Sequence, residues 1–258
     1  MRNLFKGCFI ASLLILAASL AMFFSSIWTG DSYAPVINLL QFILVVMTVI
    51  LALLLFSRLD KGTIMRSLWG LVSLAMSVVL AGAFCEMING FAGEWKVPQD
   101  IVLLIYLVVW LILICYPFII YRAFKRTGLP LDWRAISKVL PSLIIVSAAA
   151  LVVVLIPLAT SDLDAGTKIS NFVAIIVGLI GVFTSVAFTM TMGRGRAGRQ
   201  WLFITLSFVS IVIQTIITTQ VTMVAGSMRV LEPANFFLHL GYVFLIAGEY
   251  YQYELYAS

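Results

Sequence analysis

A chain of 258 residues that is 63% hydrophobic and only 10% charged, with a mean hydropathy of +1.13, lies far from a soluble domain, where charged residues make up about a quarter. The composition excludes a water-soluble protein and points to an integral membrane protein. A net charge of +5 reflects topology and attraction to anionic lipid headgroups, and gives no reason to propose nucleic acid as a partner.

A membrane-spanning helix needs about 20 mostly apolar residues. Eight such runs follow one another: Cys8 to Trp28, Pro35 to Phe56, Met65 to Phe91, Asp100 to Tyr121, Val139 to Thr160, Lys168 to Met192, Trp201 to Ala225 and Pro233 to Tyr253. They are about twice the length of barrel strands, and a helix satisfies its own backbone hydrogen bonds in lipid. The expected fold is all-α, a polytopic bundle of eight transmembrane helices.

The first run opens "MRNLFKGCFIASLLILAASLA", which also has the form of a cleaved signal peptide; an internal repeat that needs this helix argues for its retention. The second run begins with Asn38 and, one turn on, Gln41. The third carries Glu86, an ionisable group inside an apolar stretch, with Asn89 beyond it. If that helix reaches the interface near Phe91, Glu86 lies roughly 8 to 9 Å below it at 1.5 Å per residue. The fourth contains Pro117, which removes a donor to Leu113 and predicts a kink.

The stretch between runs four and five, with Gly128, Pro130 and Trp133, reads as a cytoplasmic linker. Asn171 opens the sixth run, and Gly178 and Gly181 within it suit close helix packing. "GRGRAGR" then places Gly193, Gly195 and Gly198 in dinucleotide-fingerprint spacing, but after a membrane helix rather than between strand and helix, so it reads as a basic loop near anionic lipid. Gln220 falls near the end of the seventh run. His239, the one histidine, sits about two turns into the eighth, at nearly the depth of Glu86. Glu249 follows among Tyr250, Tyr251, Tyr253 and Tyr256, an expected interfacial belt.

All but Lys96, Lys168 and Arg229 of the 16 basic residues fall on one side. Arg2 and Lys6 precede the first run; Arg58, Lys61 and Arg66 separate runs two and three; Arg122, Lys125, Arg126, Arg134 and Lys138 separate four and five; Arg194, Arg196 and Arg199 separate six and seven. The opposite loops hold Asp31, Glu94, Asp100, Asp162, Asp164 and Glu232. Positively charged loops stay cytoplasmic, so both termini are expected there.

Polar and aromatic landmarks recur in order: Asp31 and Asn38 with Asp164 and Asn171, Trp69 with Trp201, Pro98 with Pro233, Tyr116 with Tyr251. Their offsets of about 130 to 135 residues predict two four-helix repeats, and an even helix number makes them parallel. Repeat A covers residues 1–128, a linker 129–138, and repeat B 139–258.

Enzyme and cofactor motifs are missing. Cys8, Cys85 and Cys115 have neither metal nor disulfide spacing; one histidine holds neither a metal nor a bis-histidine haem; no mid-helix lysine offers a Schiff base. No serine elbow, HExxH or paired-carboxylate motif is present. No cofactor or metal is implied. The expected function is a non-catalytic membrane module, either a sensor or receptor-like protein binding a small or lipid-like ligand from the outer side or an accessory subunit docking to a membrane-protein partner. A small-molecule transporter with a path between two halves is the alternative, and an intramembrane enzyme the third.

For the ligand site, Glu86 and His239 are expected to pair and to share an outward pocket with Asn89 and Gln220, while Asn38 and Asn171 mark equivalent positions near the pseudo-axis. The simpler reading has Glu86 reach the headgroups, His239 donate one hydrogen bond to a neighbouring carbonyl, and Gln220 serve as interhelical glue.

Overall fold

A computed structural model describes residues 1–29, 33–61, 63–91, 96–127, 132–193, 195–224 and 231–257. Asp31, Glu94, Gly128, Pro130, Arg194 and Arg229, all used above, lie outside the described residues. Every regular element described is helical: α1 Arg2–Thr29, α2 Ala34–Arg58, α3 Ile64–Phe91, α4 Gln99–Leu113, α5 Cys115–Thr127, α6 Trp133–Ala150, a π-helical turn Leu151–Leu155, α7 Ile156–Thr160, α8 Ala165–Met192, α9 Arg196–Val224 and α10 Leu231–Ala257.

Seven segments are long and apolar enough to cross a membrane: α1, α2, α3, α4 with α5, α6 through α7, α8 and α9. The chain is therefore a multi-pass helical protein of membrane type. The C-terminal helix α10 spans 27 residues but is not among the seven; its sequence "NFFLHLGYVFLIAGEYYQYE" interrupts the apolar run with His239, Glu249 and tyrosines.

Helix ends depart from the apolar boundaries for local reasons. α1 starts at Arg2 because its first turns dock on the end of α10, where Phe5 stacks on Tyr253 at 4.5 Å and Arg2 pairs with Glu254 at 3.1 Å. The break expected at Pro117 falls at Ile114, between α4 and α5, since Leu113 cannot receive a proline N–H. α6 begins at Trp133, inside the expected linker, with Asp132 as its N-cap accepting from the Ala135 N–H at 3.0 Å. α10 starts two residues before Pro233, whose missing N–H costs nothing in a first turn.

Packing closes a ring of six helices: α2 on α3, α3 on α4, α4 on α8, α8 on α9, α9 on α10 and α10 on α2. α1 lies outside against α10 and α2, and α6 outside against α8. The α8–α9 contact is as close as the two glycines suggest. A Cβ at Gly178 would stand 2.6 Å from Val212 Cγ2, and one at Gly181 2.5 Å from Phe208 Cε1. Large apolar side chains such as Leu14, Leu104, Phe118 and Val152 point outward, a surface suited to lipid tails and too extensive for water. The tyrosine belt is corrected in part. Tyr250 stacks on Phe9 and Tyr251 on Phe203, so with Tyr253 these rings pack helices together, and only Tyr256 of the four is exposed.

Candidate functional site

Inside the ring lies a cavity of about 280 Å³ lined from α3, α4, the start of α5, α8, α9 and α10. Because the chain alternates direction, the end of α3, the starts of α4, α8 and α10, and the end of α9 come together. Polar lining collects there: Glu86, Gln99, Ser170, Asn171, Gln214, Thr215 and Thr218. The opposite end is built from Leu68, Trp69, Leu113, Tyr116, Ile204 and Phe208. Its one hydroxyl is already used, since Tyr116 bonds Ser185 at 2.8 Å. Ser207 and the Trp69 indole N–H, which has no partner, are the exceptions to this division.

Glu86 is held by side chains of α2, with two tyrosines close by. Gln41 Nε2, itself buried, donates to Glu86 Oε2 at 2.8 Å. Tyr106 of α4 and Tyr242 of α10 stand within electrostatic reach of the same carboxyl. Asn38 Nδ2 donates to the Glu86 backbone carbonyl at 3.1 Å. The residual exposure of Glu86 is to the cavity it lines.

Two glycines make room for this arrangement. A Cβ at Gly82 would lie 3.0 Å from the Tyr106 ring, and one at Gly90 3.2 Å from Pro35 Cα and 3.3 Å from Asn38 Nδ2. They stand four residues before and after Glu86, on its own helix face. The α3 surface is thus bare on either side of the carboxylate, and neighbouring side chains fill both gaps. Tyr106, Gln41, Tyr242 and these glycines are the parts that the sequence reading passed over as site residues. The spacing Gly82, Glu86, Gly90 was the available signal.

The expected Glu86–His239 pair does not form. His239 is fully buried, its Nδ1 lies 2.6 Å from Ser19 Oγ on α1, and its Nε2 has no partner. It sits next in sequence to cavity-lining Leu238 but does not line the cavity, since one residue turns the side chain by about 100° on a helix. Depth alone, without azimuth, made the pairing look reachable.

Asn89 and Gln220 have structural roles. Asn89 clamps the chain before α4, accepting from Val97 N at 2.6 Å and donating to Val97 O at 3.1 Å. Gln220 Nε2 donates to Val153 O at 2.7 Å. That carbonyl stands four residues before Pro157, which has no N–H to offer it, and it lies in the π-helical turn. Gln220 is therefore the glue of the simpler reading. Asn171 lines the cavity, whereas Asn38 reaches it only through the Glu86 backbone.

Among the described residues no cluster of three or more His, Cys, Asp or Glu side chains is placed to hold a metal ion. Comparison with protein-family models, curated proteins and solved structures yields no match.

Proposed function

We propose that the protein is a non-catalytic membrane receptor-like module that binds a small ligand in the cavity of the helix ring, entering at the Glu86 end. One observation carries the reading: polar lining gathers at that end, while large apolar side chains fill the other. A ligand finds hydrogen-bonding groups on entry and an apolar floor beneath. Mostly apolar walls with a few convergent polar groups are the usual form of a small-molecule site.

The distribution of basic residues supports placing the Glu86 end outside, both termini in the cytoplasm, and the basic loops against anionic headgroups. With α10 counted as a span, the bundle has eight transmembrane helices. The two-repeat reading has support in the order of packing: α2 on α3, α3 on α4 and α4 on α8 are matched by α8 on α9, α9 on α10 and α10 on α2. A transporter is the second reading, favoured because both proposed halves line one cavity.

Cysteine labelling separates the two. In a variant lacking Cys8, Cys85 and Cys115, a membrane-impermeant maleimide applied from outside is expected to label Thr218→Cys but not Ile204→Cys, and application from inside to label neither. Labelling of Ile204→Cys from inside, with Thr218→Cys reached from outside, would overturn the receptor reading in favour of a path through the ring.

A further inference from the structure

The cavity has an unbalanced charge inventory. Among the described residues Glu86 is its one carboxylate, and the described lining contains no lysine, arginine or histidine. Its hydrogen-bond donor Gln41 and the nearby Tyr106 hydroxyl are both neutral. The ion pair present among the described residues joins Arg2 to Glu254, on α1 and the end of α10. A carboxylate in such a place attracts a cation strongly, because low-dielectric walls screen it poorly.

We infer that the ligand is a short-chain primary alkylammonium, its N–H groups donating to the Glu86 carboxylate and its hydrocarbon lying on the apolar floor; this rests on the receptor reading above. Three observations set the class. The carboxylate keeps lone pairs beyond the one used by Gln41, and an ammonium offers three donors for them. The rings of Tyr106, Tyr242 and Trp110 line the cavity, and aromatic rings attract a cation through their faces. The volume of about 280 Å³ falls just under the ~300 Å³ at which drug-sized pockets begin. One short chain fits, two acyl chains do not, and a phospholipid's phosphate would find no basic residue among the described lining residues.

The test uses the full chain in nanodiscs, with hexylamine, hexanol and hexanoate as probes of matched length. Tryptophan emission reports binding, since Trp69 and Trp110 line the cavity; Trp110→Phe identifies the signal. Hexylamine is expected to bind at least tenfold more tightly than either other probe. In Glu86→Gln the amine and the alcohol should bind alike, with alcohol affinity retained. Should that variant not fold, Glu86→Asp keeps the charge and is expected to keep the order of amine over alcohol. Equal binding of all three probes to wild type, or an undiminished amine preference in Glu86→Gln, would overturn the alkylammonium assignment while leaving the cavity reading standing. No saturable binding of any probe would overturn both.

Discussion

Two carboxylates are carried into the helix ring, and they are solved differently. Glu86 near the end of α3 accepts from Gln41, has the Tyr106 hydroxyl close by and opens on the cavity. Glu249 of α10 is fully buried, and neither of its oxygens has a partner. Close by in sequence and space are two further unmet groups, Gln252 Oε1 one turn on and Gln200 Nε2 on α9, whose backbone carbonyl abuts the Gly248 position. Burial alone therefore does not mark a site. What separates Glu86 is the shell of donors, the flanking glycines that admit them, and space beyond for a ligand.

The largest effect should come from stripping that shell. Gln41→Leu removes a charge-assisted hydrogen bond from a buried acceptor and is expected to cost about 1 to 3 kcal/mol, read as a lower unfolding temperature in detergent. Glu249→Gln removes an ionisable group that no donor supports, so stability should hold or rise. If Gln41→Leu is silent and Glu249→Gln destabilises, the distinction between the two carboxylates collapses.

The glycine gap gives a sharper, somewhat smaller effect. Gly82→Ala places a methyl 3.0 Å from the Tyr106 ring, an overpacking expected to cost about 1 to 2 kcal/mol. In the Tyr106→Phe background the ring remains but the hydroxyl close to Glu86 is gone. The crowding cost should persist there, while amine binding at Glu86 weakens in both single variants. A Gly82→Ala protein with full stability and unchanged binding would remove the glycines from the account of the site.

Much of this architecture is legible because the physics of spanning is one-dimensional. An apolar run of sufficient length locates a helix, as in α2 and α8, whose ends fall within a few residues of the runs. Pro117 likewise marks its own break. Azimuth is not legible in that way: residue counting puts Glu86 and His239 at nearly one depth, yet one lines the cavity and the other meets Ser19. Interlocking features are harder still. Pro157, the π-helical turn and Gln220 make sense only together, because the amide meets a carbonyl that the proline leaves unserved. Likewise Gly82 and Gly90 look like ordinary helix glycines until Tyr106 and Asn38 are seen against them.

A third carboxylate isolates the contribution of donors from that of burial. Asp164 is exposed at the start of α8, where it accepts from the Thr167 N–H at 2.8 Å. Hydrogen bonds from the Thr167 side chain and backbone hold it below the usual carboxylate range. A depressed folded value means that the stabilisation is present above the unfolded carboxylate range and is lost as pH falls through the folded value. The expected outcome is the smallest of the series: a slight drop in unfolding temperature on acidification that is absent in Asp164→Asn, where the amide oxygen still caps the helix. NMR titration of the Asp164 carboxyl carbon checks the direction independently. A midpoint at or above that of an unstructured aspartate would show that donors without burial do not bias this carboxyl, leaving the contrast between Glu86 and Glu249 to rest on burial and cavity alone.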